Sequence, residues 1–436
     1  MNVAVLGLWH LGSVTAACTA SVGHTVQGWD PDPQVVAHLN QGRPPVKEPG
    51  LAELVAAQLR AGRLAFTPDL AAAVACADVV WVAFDTPVDQ EDRADVDEVV
   101  RQVARAFPYL KPAAVVLLSS QLPVGTARRL EEMFRLAQPG RTVSFACTPE
   151  NLRLGQAIEG FTKPDRVVVG VRTAEDRARL EALFAPISDR LEWMSVESAE
   201  MTKHAINAFL ATSVAFINEI AVLSERAGAD AREVERGLKT ERRIGPHAYL
   251  TPGSAFAGGT LARDLTFLRA LGAATACPTA IIDGVQASNL DHRAWPRRRL
   301  AVELGHLSGR RVAVWGLTYK AGTDTLRRSE AVELCRWLVG EQAIVTAHDP
   351  VASELPGALQ LGVTRTDDPV VAARGADVLV VATEWPIYRH VDLDALAEAM
   401  PRGVVIDANR FLGPTFGTDR RFRLISVGHS GNGRPR

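Results

Sequence analysis

The sequence predicts an α/β chain of two parallel-sheet domains joined by a long-helix connector. Three observations predict it. Short apolar runs rich in β-branched residues, "NVAVLG", "TVQGWD", "VVWVAF", "AVVLLSS" and "RVVVGV", recur through the first half, with helical patterns such as "LAELVAAQLRAG" between them. Strands that alternate with helices form a parallel sheet covered on both faces. Near Ser195 the pattern changes: "SAEMTKHAINAFLATSVAFINEIAVLSERAGAD" reads as one helix without proline, and a second helical stretch runs from Asp264 into "IIDGVQASNLDHR". Alternation then resumes with "RRVAVWGLTYK", "AIVTAHDP", "VLVVATEW" and "GVVIDANR".

These signals place the first α/β domain at 1–194, the helical connector at 195–300, the second α/β domain at 301–427 and a glycine-rich basic tail, expected to be flexible, at 428–436. The two ends share an architecture without a tandem repeat. A length of 436 residues suits two or three domains, and 47% apolar with 22% charged residues is the balance of a soluble globular protein. A net charge of −2 offers nothing to nucleic acid or to a membrane surface. No apolar run is expected to reach the roughly 18 residues that a membrane span needs. The opening "MNVAVLGLWH" lacks the basic region and cleavage site of a signal peptide. Five cysteines (Cys18, Cys76, Cys147, Cys277, Cys335) show no paired spacing, which predicts a reducing cytoplasm and no metal site. Six lysines stand against forty-two arginines. Each lysine is therefore informative, because arginine serves wherever only a surface charge is wanted.

"VAVLGLWHLGS" is a strand, a glycine turn and the start of a helix. Against the dinucleotide fingerprint G-x-G-x-x-G it supplies Gly7 and Gly12, with Leu11 between them, but puts Trp9 at the middle glycine. By itself this is a weak motif that a plain strand–helix turn also satisfies. Its context strengthens it. The next strand ends at Asp30, eighteen residues past Gly12. An acid there accepts hydrogen bonds from the adenosine ribose and repels a 2′-phosphate, so the cofactor expected in this Rossmann-like domain is NAD rather than NADP. The helix N-terminus offers free N–H groups to the pyrophosphate.

The whole chain resembles the UDP-glucose/GDP-mannose dehydrogenases, NAD enzymes that oxidise a sugar C6 alcohol to a carboxylate in two hydride transfers. The segments that carry the resemblance include "DTPVDQEDRADV", "LPVGT", "PENLRLG", "PDRVVVG", "KHAINAFLATSVAFINEIA", "RRIGPHAYLTPG", "YKAGTDTLRRS", "ATEWPIYRHVDL" and "VVIDANR". The resemblance implies a nucleotide-sugar substrate and a homodimer built on the connector helix. It also implies cofactor contacts at Thr86, Gln121, Arg263 and Arg327. For the substrate it implies Glu150, Asn151, Leu152 and Arg153 of "PENLR", Tyr249 and Gly253 of "YLTPG", Arg243 reaching across the dimer, and Lys320. Cationic side chains suit a pyrophosphate.

The departures from the family fall on one kind of chemistry. The loop "GSAFAGGTLARD" has Thr260 where the family has a nucleophilic cysteine, Ala255 and Ala257 where it has glycines, and Arg263 where it has lysine. Gln121 replaces a threonine, and Leu154 a second glutamate. A thiol ionises near pH 8.5 and its thiolate adds to an aldehyde; a threonine hydroxyl ionises far higher and needs a dedicated base. No histidine lies within the loop, His247 being the nearest in sequence, and Cys277 in "ATACPTAII" reads as a small core residue. Groups suited to the first oxidation remain. Lys203 and Asn207, four apart, share one helix face, and Asp264 keeps the family's aspartate position. A desolvated lysine can act as a base, and an amide can hold a developing oxyanion. As an ordinary exposed lysine beside an acid, the same pair would mean nothing; the surrounding match favours a site. Three readings stay open: an oxidoreductase limited to one reversible hydride transfer, a full dehydrogenase in which Thr260 or water replaces the cysteine, and a nucleotide-binding pseudoenzyme.

Overall fold

A computed structural model describes residues 1–89, 94–149, 152–257, 259–357 and 359–429. It divides into two units, Met1–Ile206 and Asn207–Arg436. Glu150 and Asn151 of the expected substrate stretch, Gly258, and the tail from 430 lie outside the described residues.

The first unit is built on eight strands: β1 Asn2–Leu6, β2 Thr25–Trp29, β3 Leu64–Thr67, β4 Val79–Val82, β5 Val115–Leu118, β6 Ser144–Cys147, β7 Val167–Gly170 and β8 Leu191–Met194. Their order in the sheet is β3-β2-β1-β4-β5-β6-β7-β8. Apolar side chains point to both faces, as a sheet covered on both sides requires. Val5, Trp81 and Leu117 pack with Val14 and Cys18 of the first helix, His10–Ser21. Leu6, Val80 and Val116 pack with Val103, Leu130 and Phe134 on the other face. The sheet departs from the all-parallel expectation at one place: β6 and β7 meet antiparallel, through the pair Cys147 and Gly170. Between them, among the described residues, the only helix is the six-residue Ala157–Thr162, too short to carry the chain back along the sheet before β7 begins.

The second unit begins within the connecting helix, Val196–Ala227, 32 residues long. Among the described residues this helix is long and apolar enough to cross a membrane by length and composition, although polar residues interrupt it. Its Ala208, Ala211 and Ala215 pack against Leu265 and Val285, the role of a core helix. The expected second helical stretch is two helices, Thr260–Thr275 and Ala280–Arg293. Ala276 takes a left-handed φ of 56° and Pro278 follows, which ends the first of them. Cys277 therefore sits in the break and is exposed, not a core residue as its sequence context suggests.

Six parallel strands follow: β9 Arg311–Trp315, β10 Ile344–His348, β11 Val363–Thr366, β12 Val378–Val381, β13 Val404–Asp407 and β14 Arg423–Ile425, in the order β11-β10-β9-β12-β13-β14. The first six strands of the first unit have the same order, that of a dinucleotide-binding sheet. The likeness extends to the turn after the first strand. Gly7 has φ 88° and Gly316 φ 89°. Each amide donates to the last residue of the neighbouring strand, Trp29 O at 2.9 Å and His348 O at 2.8 Å. The following amides, of Leu8 and Leu317, donate to Asp30 and Asp349, both at 2.7 Å.

Candidate functional site

The glycine turn fits a dinucleotide by its packing. A Cβ on Gly12 would stand 1.6 Å from the Gly7 carbonyl oxygen, and one on Gly7 would run into Phe84. Only glycine at both positions lets the first helix come this close to β1, the packing that a pyrophosphate-binding turn requires. Trp9 does not disturb the turn: its φ of −74° is open to any residue, and its side chain is half exposed. Leu11 and Gly12 are buried behind it. Asp30 holds the turn at 2.7 Å from the Leu8 amide and accepts a second bond from Asp32 N at 3.0 Å. Burial pushes its carboxyl above the ordinary aspartate range. The matching Asp349 has one oxygen that takes the amides of Leu317 and Thr318, the Thr318 hydroxyl and the Trp385 indole.

Thr86 is buried at the end of the β4 loop, and its hydroxyl donates to the Gln121 carbonyl at 2.7 Å. The structure thus joins two of the expected cofactor residues through the backbone of the second. A cavity of about 550 Å³ opens in the same unit, lined by Leu11, Ser119, Thr148, Leu152, Arg153 and Gln156. It brings Leu11, expected at the cofactor, together with Leu152 and Arg153 of "PENLR", expected at the substrate. Glu48 was not among the candidates, yet it organises this region. Its buried carboxylate takes the amides of Gly155 and Ala157 at 2.8 and 2.9 Å and the His10 ring at 3.0 Å. Burial alone would raise its carboxyl, but those donors outweigh burial and hold it below the usual range. One side chain so ties the glycine turn to the segment after Leu154. A single acid in "VKEPGL" carries no local signal of that role.

In the second unit the Asn207 side-chain amide donates to Asp264, which is fully buried. Lys203, which falls in the first unit, is also buried, four residues before Asn207 on the same continuous helix. Thr260 opens the helix Thr260–Thr275 behind Gly259, whose φ is 99°, and it is exposed. Arg263 follows in the first turn. A Cβ on Gly259 would have the Tyr319 hydroxyl as its nearest neighbour, at 3.6 Å, so the loop after β9 that carries Tyr319 and Lys320 reaches this helix start. Arg327, on the same loop, is exposed. Tyr249 is exposed, and Gly253 is buried. Arg243 keeps 89% of its side chain exposed and pairs with Glu241 at 2.9 Å. Gly7, Leu11, Gly12, Asp30, Thr86, Gln121, Leu152 and Arg153 belong to the first unit; Arg243, Tyr249, Gly253, Thr260, Arg263, Lys320 and Arg327 belong to the second.

Comparison with known proteins agrees along the chain. Residues 1–188 match the NAD binding domain of the UDP-glucose/GDP-mannose dehydrogenase family, 197–291 its central domain and 313–414 its UDP binding domain. The chain is 35% identical to the UDP-glucose 6-dehydrogenase of Pseudomonas aeruginosa, with 100% of this chain and 98% of that protein covered. It is 33% identical to the solved UDP-glucose dehydrogenase of Pyrobaculum islandicum, covering 94% of this chain and 95% of that one, with a TM-score of 0.84. A UDP-D-ManNAc dehydrogenase from Pyrococcus horikoshii, 24% identical and covering 99% and 100%, shares the fold with a TM-score of 0.85.

Proposed function

The chain belongs to the UDP-glucose/GDP-mannose dehydrogenase family, and on that premise we propose that it oxidises a nucleotide sugar with NAD in one reversible hydride transfer. The observation that carries the restriction is Thr260, a hydroxyl-bearing residue at a helix start where the family has a cysteine, in a chain that keeps the buried Asn207–Asp264 pair. Bound NAD supplies the acceptor for one hydride. Lys203 takes the proton of the sugar alcohol, and the amide of Asn207, fixed by Asp264, stabilises the charge that develops on that oxygen. Thr260 cannot form the covalent adduct that a thiolate would, and Leu154 offers no oxygen to orient a water. The product is then an aldehyde or ketone.

In this reading Gly7, Leu11, Gly12, Asp30, Thr86, Gln121, Arg263 and Arg327 serve the cofactor. Glu150, Asn151, Leu152, Arg153, Arg243, Tyr249, Gly253 and Lys320 serve the nucleotide sugar. The protein works as a cytoplasmic homodimer, with no nucleic acid or membrane as partner. Five free cysteines and an apolar stripe on the connecting helix support that assignment. The relative named a UDP-glucose 6-dehydrogenase at 35% identity favours a second reading, complete oxidation to a uronic acid.

Stoichiometry separates the readings. Purified protein is incubated with NAD and a panel of nucleotide sugars, and NADH is counted per sugar consumed. One equivalent, with a carbonyl product trapped by hydroxylamine, is expected. Two equivalents and a uronic acid would establish the second reading, and binding without turnover a pseudoenzyme. Thr260→Cys is expected to trap a covalent adduct and release little uronic acid, because Leu154 and Gln121 are unchanged.

A further inference from the structure

The backbone of Gly253–Phe256, which leads to Thr260, belongs to no helix or strand. Side chains hold it instead. Asn218, buried in the connecting helix, accepts from the Gly253 amide at 3.0 Å and donates to the Ser254 carbonyl at 3.3 Å. Asn409, just past β13, accepts from the Ser254 amide at 2.6 Å. Asn289 pairs with both backbone groups of Phe256, accepting from its N–H at 2.9 Å and donating to its carbonyl at 2.8 Å. The ring of His292 lies 2.8 Å from the Gly253 carbonyl. A carbonyl only accepts, so Nε2 carries the hydrogen. Asn289 and His292 are three apart on the helix Ala280–Arg293, hence on one face, and both are buried. The backbone approach is close: a Cβ on Gly253 would stand 2.1 Å from the Asn409 side-chain oxygen.

We propose that Asn289 and His292 are positioning residues for the nucleotide sugar: by fixing the backbone of Gly253–Phe256 they set the edge that the segment from Tyr249 to Thr260 presents to it. The inference rests on the proposed function, in which this segment lies along the substrate. Two bonds to the backbone of one residue and a third to a carbonyl three residues earlier define a register, which a merely packed loop would lack. A loop free to shift binds the same ligand at an entropic cost that appears in KM.

The test uses the full chain with NAD and UDP-glucose, or whichever nucleotide sugar the wild type turns over best. Asn289→Ala and His292→Phe are each expected to raise KM for the sugar nucleotide about tenfold, the value of one buried hydrogen bond. KM for NAD and kcat should change less than about threefold by the same reasoning. His292→Gln, which restores an N–H donor, should recover most of the loss. Asn289→Asp keeps the acceptor for the Phe256 amide but opposes its carbonyl, and it replaces Asn289→Ala if that variant does not fold. Unchanged KM in the folded variants would overturn this inference alone. So would a parallel loss in KM for NAD and kcat that His292→Gln does not relieve. A wild type that neither binds nor oxidises any nucleotide sugar would overturn the proposed function, and this inference with it.

Discussion

The side-chain amide of Asn207 donates to the carboxylate of Asp264, a residue with no exposed surface. One comes from the connecting helix and the other from the second turn of the helix that begins at Thr260. A buried carboxylate that loses a donor costs about 1–3 kcal/mol. Asn207→Ala is therefore expected to lower stability by about that amount, read as a shift in the urea midpoint. In the proposed reaction it should also lower kcat about 10²- to 10³-fold, as loss of an oxyanion donor does. Full turnover in Asn207→Ala would remove this pair from the chemistry.

Asp30 is predicted to decide the choice of cofactor. Its carboxylate already steadies the Leu8 amide, and a bound ribose would add charge-assisted bonds to it. Asp30→Ala should weaken NAD binding about 10- to 100-fold and narrow the preference over NADP, because charged hydrogen bonds are worth about 1.5–3 kcal/mol. Calorimetric titration with both cofactors measures this. Tighter NADP than NAD binding by the unmodified protein would refute it.

The connecting helix should pair with a second chain. Phe209 is 69% exposed, Phe216 47% and Leu223 59%, at intervals of seven residues along one face. An apolar stripe of that period is what a helix partner covers. Light scattering at micromolar concentration should give a dimer, and Phe209→Glu with Phe216→Glu should shift it to monomer. A wild-type monomer would exclude the pairing.

Acid should uncouple a surface network in the first unit. Arg172 bridges Glu131 at 2.9 Å and Glu197 at 2.7 Å, and Arg128 reaches Glu197 at 2.7 Å. The Arg172 guanidinium, against the opposing effect of partial burial, holds the Glu197 carboxyl down to about 2. A depressed carboxyl contributes stability that is present above the unfolded value, about 4.3, and lost as pH falls through the folded one. The melting temperatures of the wild type and Glu197→Gln should differ at pH 6 and converge as pH falls towards 2. A difference that stays constant across that range would show that the network adds no charge-dependent stability.

The features legible in the sequence were those that a short stretch of chain determines alone. β1, its glycine turn and Asp30 form one strand–turn–helix–strand unit, and the connecting helix follows from its own period, which also sets Lys203 and Asn207 on one face. Other features depend on residues far apart in the chain, whose pairing no local period records. β3, β6, β8, β11 and β14 each carry a polar residue within their three or four positions, so no continuous apolar run marks them, and pairing with the neighbouring strand makes them strands. The antiparallel entry of β7 is decided by the geometry of its connection, and the exposure of Cys277 by a left-handed residue that stops a helix. Glu48 meets Gly155 and Ala157 more than a hundred residues later, and Asn409 meets Ser254 across 155. A buried carboxylate or amide must find donors and acceptors wherever the fold brings them, so tertiary structure alone decided which polar side chains hold the loops of the site.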